Sequence, residues 1–196
     1  MRHVTFALFA TAVLAGCASA PPATAPAAAV APERATPAQA VPHAPVAQAI
    51  ANVSPASGSL VSGRLTLVAM GDGVHIRGQL GGLAPGSTHG FHIHETGDCS
   101  AADASSAGGH FNPAAAPHGR AESGAHHAGD IDNVVADGQG VAHVDAHVAG
   151  VGLGGDPRTD ILGRALVVHA APDDYHSQPS GNSGARIACG VIAASP

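Results

Sequence analysis

The stretch VHIRGQL, residues 74–80, alternates apolar and polar side chains along its length. The stretch AHVDAHV, residues 142–148, repeats that alternation. Because successive side chains of a β-strand point to opposite faces, both stretches are predicted to be strands with one buried face. Gly71–Gly73 lies just ahead of the first stretch and Asp137-Gly138 ahead of the second, and both are turn-forming sequences that predict hairpin turns.

Short apolar runs elsewhere in the chain extend this pattern. They occupy residues 65–70, 166–168 and 187–192, and no segment has the spacing of an amphipathic helix of three turns. Short strands separated by Gly and Pro predict an all-β protein, an antiparallel sandwich or barrel. Residues 95–130, 149–162 and those after His169 lack a strand pattern. Long loops of this kind in a compact domain are usually functional or disordered.

The first 50 residues differ in composition from the rest of the chain. Residues 1–16 place a short apolar run after Arg2 and end in Leu-Ala-Gly before Cys17, which resembles a bacterial lipobox and predicts a lipoprotein signal peptide. Lipid on Cys17 would anchor the protein to a membrane. Residues 17–50 are rich in Ala and Pro and predict a flexible tether before a domain at 51–196.

Export sets the expected location and cysteine chemistry. By the sorting rule of bacterial lipoproteins, Ala18 after the lipidated cysteine favours the outer membrane of the cell envelope, facing the periplasm. Disulfides persist there, and Cys99 and Cys189 remain as one pair once Cys17 carries lipid. His43, inside the tether, is expected to be solvated. A net charge of −6 excludes a basic nucleic-acid-binding surface.

Histidine is concentrated in and around the first long loop. His92 and His94 are two residues apart in a predicted strand, so their imidazoles share one face and can bind one metal. The loop then offers three imidazoles and a carboxylate, a set suited to tetrahedral zinc: His110, His118, His127 and Asp130. His169 ends a later apolar run. Six imidazoles and a carboxylate exceed what one metal needs, so two adjacent metals are expected.

These segments closely resemble copper–zinc superoxide dismutase. The motifs are GFHIHE (90–95), GGHFNP (108–113), HAGD (127–130), GRALVVH (163–169) and GARIACGV (184–191), with His118 after the second. The match covers nearly all of residues 60–193, in order. The resemblance implies a Greek-key antiparallel β-sandwich or barrel of about eight strands with long metal-binding and electrostatic loops.

Carried over position by position, the resemblance implies one copper and one zinc per subunit that share a histidine. The implied copper ligands are His92, His94, His110 and His169. The implied zinc ligands are His110, His118, His127 and Asp130. The same resemblance implies that Asp173 links ligands of the two metals, that Cys99 and Cys189 form a disulfide, and that Arg186 lies beside the copper.

The implied activity converts superoxide, a small anion, to dioxygen and hydrogen peroxide by alternate reduction and reoxidation of copper. His110, the zinc-supported bridge, and Arg186, which attracts the anion, are the expected catalytic residues. Such an enzyme would protect the cell envelope from exogenous superoxide. The alternative is a non-catalytic copper- and zinc-binding envelope lipoprotein, a metal buffer, which needs neither Arg186 nor Asp173. The resemblance leaves a monomer and a homodimer open.

Several histidines fall outside the implied ligand set. His126 adjoins His127 and is the alternative zinc ligand. His89 is expected to make a structural hydrogen bond near the site. One predicted strand face fits either a second, surface metal site or a solvated outer face: His143, Asp145 and His147. Two others are expected to be exposed: His75 and His176.

Overall fold

The structure is a computed structural model that describes residues 42–121 and 123–196. It contains eight strands: β1 (Gln48–Pro55), β2 (Ser62–Ala69), β3 (Gly73–Gly81), β4 (Thr88–His94), β5 (Asp130–Val135), β6 (Ala142–Ala149), β7 (Ala165–His169) and β8 (Arg186–Ala194). A single turn of 3-10 helix spans Ser105–Ala107. The predicted signal peptide at 1–16, Cys17 and most of the predicted tether lie outside the described residues.

All neighbouring strands are antiparallel, in the order β5-β4-β7-β8-β1-β2-β3-β6. A bridge between Ala136 and Ala142 links the ends of β5 and β6, so the sheet is a nearly closed barrel. The order is a Greek key, because β3 pairs with β6 while β4 and β5 cross to the other end of the sheet. The predicted all-β class is confirmed. Within the described residues, no helix is long and apolar enough to cross a bilayer.

The alternation in the opening stretch places its apolar residues inside the barrel. Val74, Ile76 and Leu80 of β3 are fully buried, whereas Arg77 points outwards. Burial of large apolar side chains of this kind stabilises the fold by about 1.5–3 kcal/mol each. The core formed by such residues fixes the strands that carry the metal-binding side chains.

Strand β4 is buried on both of its faces. Phe91 and Ile93 enter the barrel core. His92 and His94 point the other way, and the long loops after β4 and β7 cover them so that they are at most 1% exposed. These two loops, predicted at 95–130 and after His169, therefore cover a site that lies on the outer face of the barrel.

The first strand begins ahead of the predicted domain boundary at residue 51. Strand β1 starts at Gln48, inside the predicted tether, and the preceding residues lie along the 149–162 loop. The Val46 N–H donates to Leu153 O at 2.9 Å. His43 is not simply solvated, because its Nδ1 lies 2.6 Å from Oδ2 of Asp160, a buried carboxylate that requires partners.

Candidate metal centre

Four imidazoles converge where β4, β7 and the first long loop meet: His92, His94, His110 and His169. All four are buried, and one ring nitrogen from each lies within 4.8 Å of the others. His94 Nε2 and His169 Nε2 are 3.3 Å apart. Strand pairing explains the convergence, because β4 and β7 are neighbours and His94 bridges to His110.

The outer nitrogens of three of these rings are committed to acceptors. His92 Nε2 donates to Asp173 Oδ2 at 2.7 Å, and His94 Nδ1 donates to Gly108 O at 2.9 Å. His169 Nδ1 lies 3.2 Å from Gly184 O. An outer N–H leaves a lone pair on the inner nitrogen, so these acceptors select the tautomers that can ligate a metal.

Burial keeps the same rings neutral near pH 7. It lowers the pKa of His92 to about 4, of His94 to about 2 and of His169 to about 3. His92 Nδ1 and His110 Nε2 are buried with no hydrogen-bond partner among the described residues. Unpaired buried nitrogens are costly, at about 1–3 kcal/mol each, and a bound metal would satisfy them. An all-imidazole set of this kind suits copper.

A second set lies against the first, in the loop that ends at β5: His110, His118, His127 and Asp130. Asp130 Oδ1 lies 2.8 Å from His110 Nδ1, 3.0 Å from His118 Nδ1 and 3.3 Å from His127 Nδ1. Three nitrogens and one carboxylate oxygen at these separations fit a tetrahedral zinc ion. His110 belongs to both sets, with Nδ1 facing this one and Nε2 facing the other.

Asp130 is held as a carboxylate by its surroundings. Burial alone would raise its pKa, but hydrogen bonds from the His110 ring and from the backbone N–H groups of His127 and Gly119 outweigh burial and hold the pKa well below its usual range. The two backbone bonds, at 2.8 and 3.1 Å, engage Oδ2. Oδ1 is thereby left to face the three imidazoles.

The comparison with known families decides the assignment of these two sets. Residues 61–192 match the family model described as copper/zinc superoxide dismutase (SODC). The chain belongs to this family. It is 42% identical over 135 residues to Cu-Zn superoxide dismutase 2 of Aquifex aeolicus (strain VF5), covering 67% of this chain and 79% of that protein. It is 44% identical over 139 residues to a protein of the same name from Mesembryanthemum crystallinum, covering 67% and 86%.

Solved structures of the same fold give a further comparison. A superoxide dismutase-like protein from Bacillus subtilis is 36% identical, with a TM-score of 0.67 over 76% of this chain and 99% of that chain. The clock protein EA4 is also 36% identical, with a TM-score of 0.68 over 77% and 96%. Because folds host different functions, the ligand sets and not the barrel carry the argument for activity. The implied copper and zinc sets are both complete in this family member.

Asp173 connects the two ligand sets. Its Oδ2 accepts from His92 Nε2 at 2.7 Å, and its Oδ1 accepts from His118 Nε2 at 3.0 Å. Burial would raise the Asp173 pKa, but the hydrogen bonds from His92, the Tyr175 N–H and His118 lower it. Gly181, at φ +65°, packs so closely that any Cβ there would overlap the Asp173 carboxylate. The carboxylate thus orients one imidazole of each set.

Arg186, at the start of β8, is fixed by the first long loop. Its two terminal nitrogens donate to Ala104 O at 2.7 Å and to Gly108 O at 2.6 Å. The Gly108 carbonyl also accepts from His94, so the guanidinium lies next to the copper set. The predicted disulfide joins this loop to β8, with Cys99 and Cys189 Cα atoms 5.7 Å apart.

The histidines near the two ligand sets follow the sequence expectations, whereas His75, like His43, does not. His126 bonds through Nδ1 to the His127 carbonyl at 2.7 Å and is absent from the two ligand sets, so the choice of His127 is confirmed. His89 bonds to the His169 carbonyl at 2.7 Å, as predicted. His75 was expected to be exposed; instead it is only partly exposed and bonds to Asp145 on the neighbouring strand.

Two residues that support the site were not identified from the sequence. Asn133 on β5 accepts from the Asp173 N–H at 2.8 Å and donates to the Asp173 carbonyl at 2.9 Å. Gln178 makes the same paired contact with the backbone of His118, at 2.8 and 2.9 Å. Neither lies in a recognisable motif, and the pairings depend on how the loops fold back onto the barrel.

Proposed function

We propose that this protein is an exported copper–zinc superoxide dismutase of the bacterial cell envelope. Two superoxide anions and two protons are converted to dioxygen and hydrogen peroxide. The observation that carries the proposal is the pair of complete, buried ligand sets that share His110. A structural member of the same fold would need neither buried unpaired imidazole nitrogens nor the carboxylate that aligns both sets.

The residues of this chain have separate roles in that reaction. Copper held by the set that contains His92 and His169 would supply one-electron redox chemistry, and zinc held by the set that contains Asp130 would have none and would support the shared His110 ring. His110 Nε2 is buried and unpaired, and it is the atom at which the chain can hold a proton for delivery to the peroxide product. Asp173 keeps His92 and His118 in the tautomers that face the two metals.

Arg186 is proposed as the group that attracts and orients the anion. The chain carries a net charge of −6, so its overall field repels superoxide and a local positive charge is required. The backbone carbonyls of Ala104 and Gly108 fix the guanidinium beside the copper set. A planar guanidinium can hydrogen-bond both atoms of a dioxygen unit, which an ammonium cannot do with the same geometry.

The cellular setting is part of the proposal. The lipobox-like Leu14-Ala-Gly-Cys17 supports removal of residues 1–16 and lipid attachment at Cys17, with the domain held on the outer membrane facing the periplasm. The Cys99–Cys189 disulfide agrees with an oxidising compartment. All seven ligands and Arg186 come from one chain, so a homodimer is not needed to complete the site.

The test compares Arg186→Ala and Arg186→Lys with the unmodified protein, each loaded with copper and zinc. We expect both variants to keep both metals, because Arg186 belongs to neither ligand set. Dismutation at low ionic strength should fall strongly in Arg186→Ala, with partial recovery in Arg186→Lys, and the dependence of the rate on salt should weaken. Equal rates in all three proteins at full copper loading would refute the role of Arg186.

A further inference from the structure

The outward face of the β3–β6 pair carries a second group of metal-binding side chains. His75 on β3 lies directly opposite His147 on β6 in the strand register, and their ring centroids are 6.4 Å apart. The His75 side chain is 21% exposed and the His147 side chain is 30% exposed. Both side chains are therefore partly exposed while the sheet supports them.

Each of these imidazoles faces a carboxylate. His75 Nε2 forms a hydrogen bond with Asp145 Oδ1, and Asp145 shares the outward face of β6 with His147. His147 Nε2 lies 3.3 Å from Oδ1 of Asp72, in the turn between β2 and β3. That second contact is not a hydrogen bond: His147 Nε2 is sheltered from solvent and has no hydrogen-bond partner in the described part of the chain.

A cation would satisfy both atoms of the Asp72–His147 contact. Imidazole nitrogen and carboxylate oxygen bind zinc at about 2.0–2.2 Å, so two such ligands of one tetrahedral ion lie about 3.3–3.6 Å apart. The observed separation of 3.3 Å fits that geometry. His75 faces His147 across the strand pair, and rotation of its side chain and that of Asp145 would bring a second nitrogen and a second oxygen to the ion. This mixed set suits Zn²⁺, Ni²⁺ or Cu²⁺.

The local charges and exposure favour an ion at this position. Asp72 and Asp145 contribute two negative charges, and their side chains are 80% and 72% exposed, so both can turn onto an ion without disturbing the core. Arg77 opposes binding, because its Nε lies 3.6 Å from Asp145 Oδ1 and competes for that carboxylate.

We propose that His75, His147, Asp72 and Asp145 bind one divalent transition-metal ion of the zinc, nickel or copper class. This surface site is separate from the two buried ligand sets, with which it shares no residue. It involves no redox step and does not rest on the proposed dismutase activity.

The probe is Zn²⁺, titrated into protein that already holds one copper and one zinc per chain. We expect calorimetry to detect one further equivalent of Zn²⁺, which is the third metal ion per chain. The NMR chemical shifts of the ring nitrogens of His75 and His147 should change in proportion to the Zn²⁺ bound. Metal contents are counted after the titration, so that exchange at the buried sets is recognised.

Four substitutions test whether the added Zn²⁺ binds at the proposed surface site. His75→Gln and His147→Gln should each weaken its binding at least tenfold, whereas Arg77→Ala should tighten it severalfold. His143→Gln is the matched control, because His143 lies on the same outward face of β6 but opposite Gln79 and not His75. Its binding should equal that of the unmodified protein.

A substitution at Asp72 tests the same site without altering a strand, because Asp72 lies in the turn between β2 and β3. Asp72→Asn, in an exposed turn, should also weaken the third equivalent while unfolding of the protein is unchanged. The proposal is overturned if Zn²⁺ does not bind as a third metal ion per chain, or if it binds equally well to the doubly substituted His75→Gln, His147→Gln protein.

Discussion

Replacing Asp173 by Asn tests whether one carboxylate organises both metal sets. In the folded protein two buried imidazole N–H groups donate to its two oxygens, at 2.7 Å from His92 and 3.0 Å from His118. An amide of the same shape has one oxygen and one NH₂ group. One ring therefore keeps its acceptor, and the other meets a second donor.

The magnitude follows from that mismatch. A buried N–H without an acceptor costs about 1–3 kcal/mol. The facing ring can avoid this cost only by moving its proton to the nitrogen that should ligate the metal. Loss of groups that orient metal ligands typically weakens binding about 10- to 100-fold. We expect the dissociation constants of both metals to rise, and that of zinc to rise within this range.

The assay is competition with a chelator of known affinity, followed for zinc and copper separately. Asp174→Asn is the matched control, because that neighbouring carboxylate is exposed and bonds to Ser177 and Asn182 within its own loop. The control should bind both metals within about threefold of the unmodified protein. If Asp173→Asn also stays within threefold for both metals, the proposed role of Asp173 is refuted.

Three further predictions concern stability. Removal of the Cys99–Cys189 bridge, whose ends are 90 residues apart, should lower the free energy of unfolding by about 4–5 kcal/mol in the loop-entropy account, as measured with denaturant. Asp160→Ala should lower it by about 1–3 kcal/mol for each of two backbone N–H groups left unpaired, whereas Asp156→Ala should have a smaller effect. The metal-free protein should lose stability as the pH falls below 6.5. The pKa values of His92, His94 and His169 are lowered in the folded state, so these histidines take up protons at a higher pH in the unfolded chain, which favours unfolding.

Different results would contradict each of these. If removal of the bridge lowers the free energy of unfolding by less than about 1 kcal/mol, the bridge does not restrict the unfolded chain as the loop-entropy account requires. Equal effects of the substitutions at Asp160 and Asp156 would show that the buried carboxylate does not hold the 149–162 loop. For the histidines, the stability should be full above pH 6.5 and fall as the pH approaches 4, the pKa of folded His92. Constant stability over that window would contradict their burial as neutral rings.

Local patterns predicted the all-β class, several of the strands and a zinc-type ligand set, whereas the copper ligand set and the Greek-key order came from the family resemblance. Alternation at 74–80 identified a strand because it reports directly which side chains face the core. His92 and His94 were found for the same reason, since residues two apart in a strand share a face. Their partner His169 followed from the resemblance of its motif, and the β4–β7 pairing accounts for the contact.

Contacts set by strand register and loop folding could not be predicted. Strand β1 was not predicted, because its first residues continue the Ala-rich composition of the preceding segment and carry little alternation of their own. The bonds of His43 to Asp160 and of His75 to Asp145 join residues far apart in the chain. The side chain of Gln178 bonds to the backbone N–H and carbonyl of His118, and every non-proline residue offers these groups, so the sequence does not indicate the contact.

The most direct test of the central claim is the rate of superoxide dismutation by the protein loaded with copper and zinc, with both metals counted. Superoxide dismutases are known to reach the diffusion limit, a kcat/KM of about 10⁸–10⁹ M⁻¹s⁻¹, and the account requires a rate of that order at one copper and one zinc per chain. The rate should be lost in His169→Ala, which removes a ligand of copper alone. Full loading of both metals with negligible turnover would contradict the account and indicate a metal-binding protein without this catalysis.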